Sequence, residues 1–187
     1  MNSIKPKNNN SFYVLTGGPG VGKTSVIDDL QSKNMRCIKE VARGIIKEQL
    51  QNNDAALPWK NKTLYKDLML DLSVKDYIRA NEQEIGLTFF DRGIPDTLAY
   101  AHLEKLPISK GLRSYAQKFR YNTTVFIFPP WKEIYQTDNE RKQQFDEVVR
   151  THKIMIQTYK NCGYEPIIMP KTSIEYRTEF ILQDTKE

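Results

Sequence analysis

The chain has 187 residues, 39% of them hydrophobic and 27% charged, and carries a net charge of +5. That length suits one globular domain with a proper core and argues against a second full domain. No apolar run approaches the roughly 20 residues that a bilayer span needs, and the lysines and arginines are scattered rather than clustered, which argues against a membrane segment and against a nucleic-acid partner.

Residues 1–11 open with a polar, asparagine-rich stretch that lacks the apolar core of a signal peptide, and a disordered tail is expected there, ahead of a domain over 12–187. Phe12-Tyr13-Val14-Leu15 then reads as a strand. It runs into Gly17-Gly18-Pro19-Gly20-Val21-Gly22-Lys23-Thr24, which fits the P-loop pattern G-x-x-x-x-G-K-[ST] without a gap, and Ser25 to Leu30 supplies the helix the pattern requires. Glycines at 17, 20 and 22 are expected to take positive φ and to bring backbone N–H groups against phosphate oxygens, beside the positive end of the helix. Lys23 would reach the β- and γ-phosphates, and the Thr24 hydroxyl would ligate Mg²⁺. Residues 17–25, Ser25 included, therefore form the expected nucleotide site.

Arg36-Cys37-Ile38-Lys39 reads as a second strand and Val41 to about Asn53 as a helix. After a loop at Pro58-Trp59, leucines at 64, 68 and 72 predict an amphipathic helix from about Lys62 to Ile85. Leu87-Thr88-Phe89-Phe90 is a third strand. Helical stretches near Pro95–Leu103 and Gly111–Phe119 precede a strand at Thr123–Phe128, closed by Pro129-Pro130. A polar helix from about Asn139 to Asn161, a strand at Pro166–Met169 and a helix from Thr172 to about Leu182 complete the chain. Short apolar strands alternating with helices predict an α/β fold with a parallel sheet covered on both faces. Cys37 and Cys162 offer neither a metal spacing nor a disulfide framework, which points to a reducing cytoplasm. His102 and His152 lack a partner at metal spacing and read as packing or surface residues.

A second chemical signal is Thr88-Phe89-Phe90-Asp91-Arg92, an apolar strand ending in aspartate. In a P-loop fold that carboxylate meets Mg²⁺ or its water shell, so Thr24 and Asp91 are the expected metal residues. Where many water-activating ATPases place a glutamate after this aspartate, the chain has Arg92, a group suited to gripping a substrate oxyanion. Transfer to an acceptor is thereby favoured over hydrolysis. The competing reading is that Asp91 and Arg92 merely cap the next helix.

Asp91-Arg92-Gly93-Ile94-Pro95-Asp96-Thr97-Leu98-Ala99-Tyr100 resembles locally the D-R-x-x-x-S-x-x-A-Y segment of thymidylate kinases, with Asp96 or Thr97 near their serine. Together with Gly17–Thr24, Glu40-Val41-Ala42-Arg43, Pro58-Trp59 and Pro129-Pro130-Trp131, it resembles more closely a family of small bacterial P-loop proteins carrying an AAA-domain label. That family is similar to the ribosylnicotinamide kinase part of bifunctional regulators of NAD synthesis. The likeness covers nearly everything after residue 11. It implies a nucleoside- or nucleotide-kinase-like P-loop NTPase with strand order 2-3-1-4-5, a helical lid at about 129–145, ATP and Mg²⁺ as cofactors, and a small-molecule acceptor.

By the same resemblance Glu40 is the candidate base for the acceptor hydroxyl; otherwise it is an acid favoured at a helix start. Arg43 would bind acceptor phosphate or pair with Glu40. Trp59 would stack on a flat acceptor or serve as a packing anchor. In the lid, Arg141 is the candidate for neutralising the transferring phosphoryl group, against a solvated helix face for the mixed charges around it; Lys132 is a weaker candidate, and Asp138 suits the helix N-cap. Pro170-Lys171-Thr172-Ser173 falls where related kinases hold adenine. The expected function is ATP-dependent phosphotransfer through Lys23, Asp91, Arg92, Glu40 and Arg141, with acceptor contacts from Glu40, Arg43, Trp59 and Arg92. The alternatives are an ATPase or a nucleotide-dependent switch; a guanine switch would show N-K-x-D, and Asn61-Lys62-Thr63-Leu64 lacks the aspartate.

Overall fold

A computed structural model describes residues 7–83, 86–135 and 145–185. The central sheet is built on β2 (Phe12–Gly17), whose six residues are all buried. Such a strand needs apolar cover on both faces, and it is flanked on one side by β4 (Thr88–Asp91) and β3 (Arg36–Ile38), on the other by β6 (Thr124–Phe128) and β7 (Glu165–Ile168). All four pairings are parallel. Counted by themselves, these five strands run in the order 2-3-1-4-5, as the resemblance implied.

Alternate residues of β2 feed opposite cores, as the period of a strand dictates. Phe12 and Val14 pack with Phe90, Val125 and Ile127 against α3 (Lys62–Glu82), α4 (Ile94–Leu103), α5 (Lys110–Lys118) and α6 (Phe145–Asn161). Tyr13 and Leu15 pack with Phe89, Phe126 and Phe128 against α1 (Lys23–Ser32) and α7 (Ile174–Asp184). The result is three layers with helices on both faces. A third, smaller cluster joins α2 (Val41–Gln51) to α3 through Ala42, Ile45, Tyr65 and Met69.

Three expectations need correction. The tail is not unstructured through residue 11: Lys7–Asn8 forms a short strand, β1, parallel to β5 (Phe119–Arg120), and the one Tyr77 hydroxyl hydrogen is shared between Arg120 O at 2.7 Å and Lys7 O at 3.0 Å. Residues 1–6 lie outside the described residues. In α3 the buried face is not the leucine stripe. Leu64 is 43% exposed, while Tyr65, Met69, Tyr77 and Ala80 are buried, because the tyrosine rings turn the apolar face by one residue. Finally, Gly20 and Gly22 have φ of +72° and +75°, but Gly17 is not in the left-handed region. Gly17 ends β2, and a Cβ there would come within 2.9 Å of Phe128 O on the neighbouring strand, so close packing rather than dihedral freedom requires its glycine.

Candidate active site

Parallel strands deliver their carboxyl ends to one edge of the sheet, and the P-loop leaves β2 there beside the ends of β3, β4 and β6. Gly22, in the left-handed conformation, is the N-cap of α1 and makes no side-chain cap, which leaves the first N–H groups of the helix to an anion. From α7, Arg177 Nη1 donates to Gly22 O at 3.4 Å, and the guanidinium carbon lies 5.4 Å from the Trp131 ring centre. Gly22→Ala is expected to weaken nucleotide binding about 5- to 30-fold, because an L residue at this φ, +75°, costs about 1–2 kcal/mol. Calorimetric titration with nucleotide checks this.

Lys23 is buried and ion-paired to Asp91, which sits at the end of β4 opposite Leu15 of β2. Burial pulls the lysine below its ordinary pKa, with Arg92 adding to the shift, while burial raises Asp91 above the usual carboxylate range despite the lysine beside it. Thr24 and Ser25 begin α1 and are exposed; both line the cavity described below.

Arg92 follows Asp91 with φ of +73°, an uncommon conformation for a side-chain-bearing residue. Two carboxylates hold it there. Its Nε donates to Glu40 Oε1 at 2.6 Å and its Nη1 to Asp96 Oδ1 at 3.2 Å. Burial opposes the guanidinium charge, but Glu40, Asp96 and Asp91 together raise its pKa further. Burial likewise works against Glu40, and Arg92, Lys23 and Arg43 outweigh it, holding the Glu40 carboxyl down to about 2. Glu40 does occupy the N-cap of α2, yet its side chain makes no cap bond and turns to Arg92 instead. Nor does Arg92 serve as a cap: Gly93 is the N-cap of α4, and its N–H donates to Asp96 Oδ2 at 2.8 Å.

Asp96 is the site residue that sequence reasoning passed over as a stand-in for a serine. It is buried and accepts four hydrogen bonds: from Thr16 Oγ1, Arg92 Nη1, Gly93 N and Tyr159 Oη, the last at 2.5 Å. Arg177 was also missed; one arginine in a C-terminal helix carries no local signal. Arg43 pairs with Glu40, its Nε 3.7 Å from Oε2, and remains 53% exposed. Trp59 is 62% exposed, so it is no packing anchor. Lys132 begins a 3₁₀ turn, Lys132–Ile134, whose Ile134 lies over Gly22 while Tyr135 lies over Gly20. Arg141 and Asp138 lie outside the described residues, as does most of the expected lid. His102 faces Thr158 Oγ1 at 3.3 Å, and no group of three metal-ligating side chains exists among the described residues. Mg²⁺ in P-loop proteins keeps most of its waters, so a hydroxyl at Thr24 and a carboxylate at Asp91 fit it without such a cluster.

One cavity of about 1550 Å³ is lined by the P-loop at one end, with Thr172, Ser173 and Arg177, and by Glu40, Arg43, Trp59, Tyr65, Arg92 and Tyr100 at the other. The sequence of residues 12–177 matches the family model described as AAA domain. The chain belongs to that AAA domain family. No curated protein matches it significantly. Among solved structures this AAA domain is similar to thymidylate kinase from Ehrlichia chaffeensis, at 14% identity and a TM-score of 0.61, covering 96% of this chain and all of that one. It is similar to deoxyadenosine kinase from M. mycoides, solved with bound dATP, at 11% identity and 0.61, covering 94% and 99%. It is also similar to NadR protein in complex with NR, at 20% identity and 0.66, covering 95% of this chain but half of that chain. At these identities the likeness establishes the fold: the AAA domain is built as a nucleoside-kinase-like P-loop α/β protein. No helix among its described residues is long and apolar enough to cross a membrane.

Proposed function

We propose that the protein is an ATP-dependent phosphotransferase acting on a small hydroxyl-bearing acceptor. The observation that carries this is the single cavity joining the P-loop to Glu40 and Arg92. Its volume of about 1550 Å³ exceeds the roughly 300–1,000 Å³ of a pocket for one drug-sized ligand, leaving room for donor and acceptor together.

The donor triphosphate lies along residues 17–25, where loop N–H groups, the α1 N-terminus and Lys23 meet its charge. Lys23 exchanges Asp91 for the β- and γ-phosphates. Mg²⁺, held by Thr24 and Asp91, would supply neutralisation of the phosphate oxygens. Glu40 accepts a hydrogen bond from the acceptor hydroxyl, and Arg92 keeps that carboxylate ionised and aimed. The acceptor oxygen bonds to the γ-phosphorus as the β–γ bridging P–O bond breaks, and ADP leaves with that electron pair. The hydroxyl proton moves late, once the forming ester has acidified it, so a carboxylate as weakly basic as Glu40 suffices as its first acceptor. Positioning and charge neutralisation supply most of the rate.

ADP release, measured with and without a panel of nucleosides, nucleotides and hydroxylated metabolites, tests this reading. Strong stimulation by an acceptor, with a phosphorylated product, is expected. Release that no acceptor changes points to hydrolysis, and capture of a protein partner only in the triphosphate state points to a switch. Trp59→Ala is expected to raise the acceptor KM several-fold through lost ring contact, of about 0.5–1.5 kcal/mol, while its 62% exposure leaves the melting temperature nearly unchanged.

A further inference from the structure

The way Arg92 is held bears on the charge of the acceptor. An arginine that grips phosphate presents two N–H groups of its fork to the anion. Here Nε is given to Glu40 at 2.6 Å and Nη1 to Asp96 at 3.2 Å. Glu40 also has Arg43 at 3.7 Å from its other oxygen, so both arginines of this half of the cavity lean on one carboxylate. Asp96 cannot swing away to release Arg92, because Thr16 of β2, the Gly93 backbone and Tyr159 of α6 hold it from three further sides. A phosphate placed at Arg92 would have to take the guanidinium edge that Glu40 and Asp96 leave, beside both carboxylates, whose charges oppose it. A neutral hydroxyl meets no such opposition and can donate to Glu40.

The walls beyond suit a flat ring. Tyr65, Met69, Tyr100 and Trp59 line that end, with the Tyr65 and Tyr100 rings edge to face at 5.5 Å.

We infer that the acceptor is an uncharged, hydroxyl-bearing ring compound of the nucleoside class and not its phosphorylated form, and that Asp96 is the positioning residue that sets this preference by keeping Arg92 on Glu40. This rests on the phosphotransferase reading above. The test uses the full chain with ATP and Mg²⁺ against adenosine, guanosine, cytidine, uridine and thymidine and their 5′-monophosphates. At least one nucleoside is expected to be phosphorylated with kcat/KM about tenfold or more above that of its own monophosphate. A preferred monophosphate overturns the inference and leaves the phosphotransferase standing. Phosphorylation of no member of either set also overturns it, and if no hydroxylated compound stimulates ADP release either, the phosphotransferase reading falls with it.

For Asp96→Asn, which removes the charge that holds the Nη1 side of Arg92, a nucleoside-to-monophosphate ratio about tenfold lower is expected, through a lower KM for the monophosphate and an unchanged KM for ATP. An equal loss on both acceptors would make Asp96 merely structural. Tyr159→Phe, which removes one of its four hydrogen bonds, is expected to shift the ratio the same way by a smaller factor, and an unchanged ratio in both variants overturns the assignment.

Discussion

Lys23→Ala is expected to reduce phosphoryl transfer about 10³-fold and to weaken nucleotide binding, as loss of a preorganised charge at the transferring group does in comparable sites. The prediction is sharp because Lys23 begins α1, is buried, and has Asp91 as its carboxylate partner. Removing one member of a buried ion pair ordinarily costs about 3–5 kcal/mol, since the other is left charged and unsolvated. Here the loss should be smaller. Burial already raises Asp91 above the usual carboxylate range, and without the lysine it can take up a proton instead of staying charged. The variant should therefore fold, with a stability that improves slightly as pH falls, and its failure should be catalytic. A coupled assay of ADP production with a thermal melt checks both parts; undiminished transfer in the folded variant would remove Lys23 from the mechanism.

Glu40→Gln is expected to lower turnover by about 10²–10⁴-fold while nucleotide affinity stays nearly intact, because the change falls at the acceptor end of the cavity. It also leaves Arg92 with only Asp96 as a close hydrogen-bonding carboxylate. The pH dependence has a definite sign. The Glu40 carboxyl lies at about 2 in the fold against an ordinary 4.5, so its stabilisation is complete above the ordinary value and is lost as pH falls toward 2. The shift corresponds to roughly 3 kcal/mol at neutral pH. Unfolding followed between pH 2 and 5 should show this component in the native chain and lack it in the variant. Native kcat/KM should show no acidic limb from Glu40 above pH 4, since the carboxylate is ionised throughout; a limb near 4.5 that disappears in the variant would contradict the tight Arg92 pairing.

Features carried by contiguous residues were legible from the chain alone. The P-loop is one such run, since eight adjacent residues between a strand and a helix already contain the geometry. The strand leading to Asp91 is another, because an apolar run ending in an acid has few other uses beside a P-loop. Element boundaries differed mostly by one or two residues, as at α4, expected from Pro95 and found from Ile94. The leucine stripe of α3 does not mark its buried face because Tyr65 and Tyr77, whose large rings go to the core, lie off that stripe. The strand at Lys7–Asn8 escaped because two polar residues carry no period, and their pairing is decided by Phe119–Arg120 far along the chain.

The partners of the charged groups divide along the same line. Sequence by itself determined the donor end: the glycines that allow left-handed backbone at 20 and 22, the lysine and hydroxyl that follow, and the alternation that makes a parallel sheet. These depend on dihedral freedom and on spacing, both local properties. Only the tertiary structure decided what Arg92 does, because Glu40 lies 52 residues away and Asp96 is tied to Tyr159 across 63. The same holds for Arg177, which reaches the P-loop across 155 residues. A charged side chain in a water-poor site takes its role from whichever opposite charges the fold brings within about 4 Å, and no one-dimensional pattern encodes that distance.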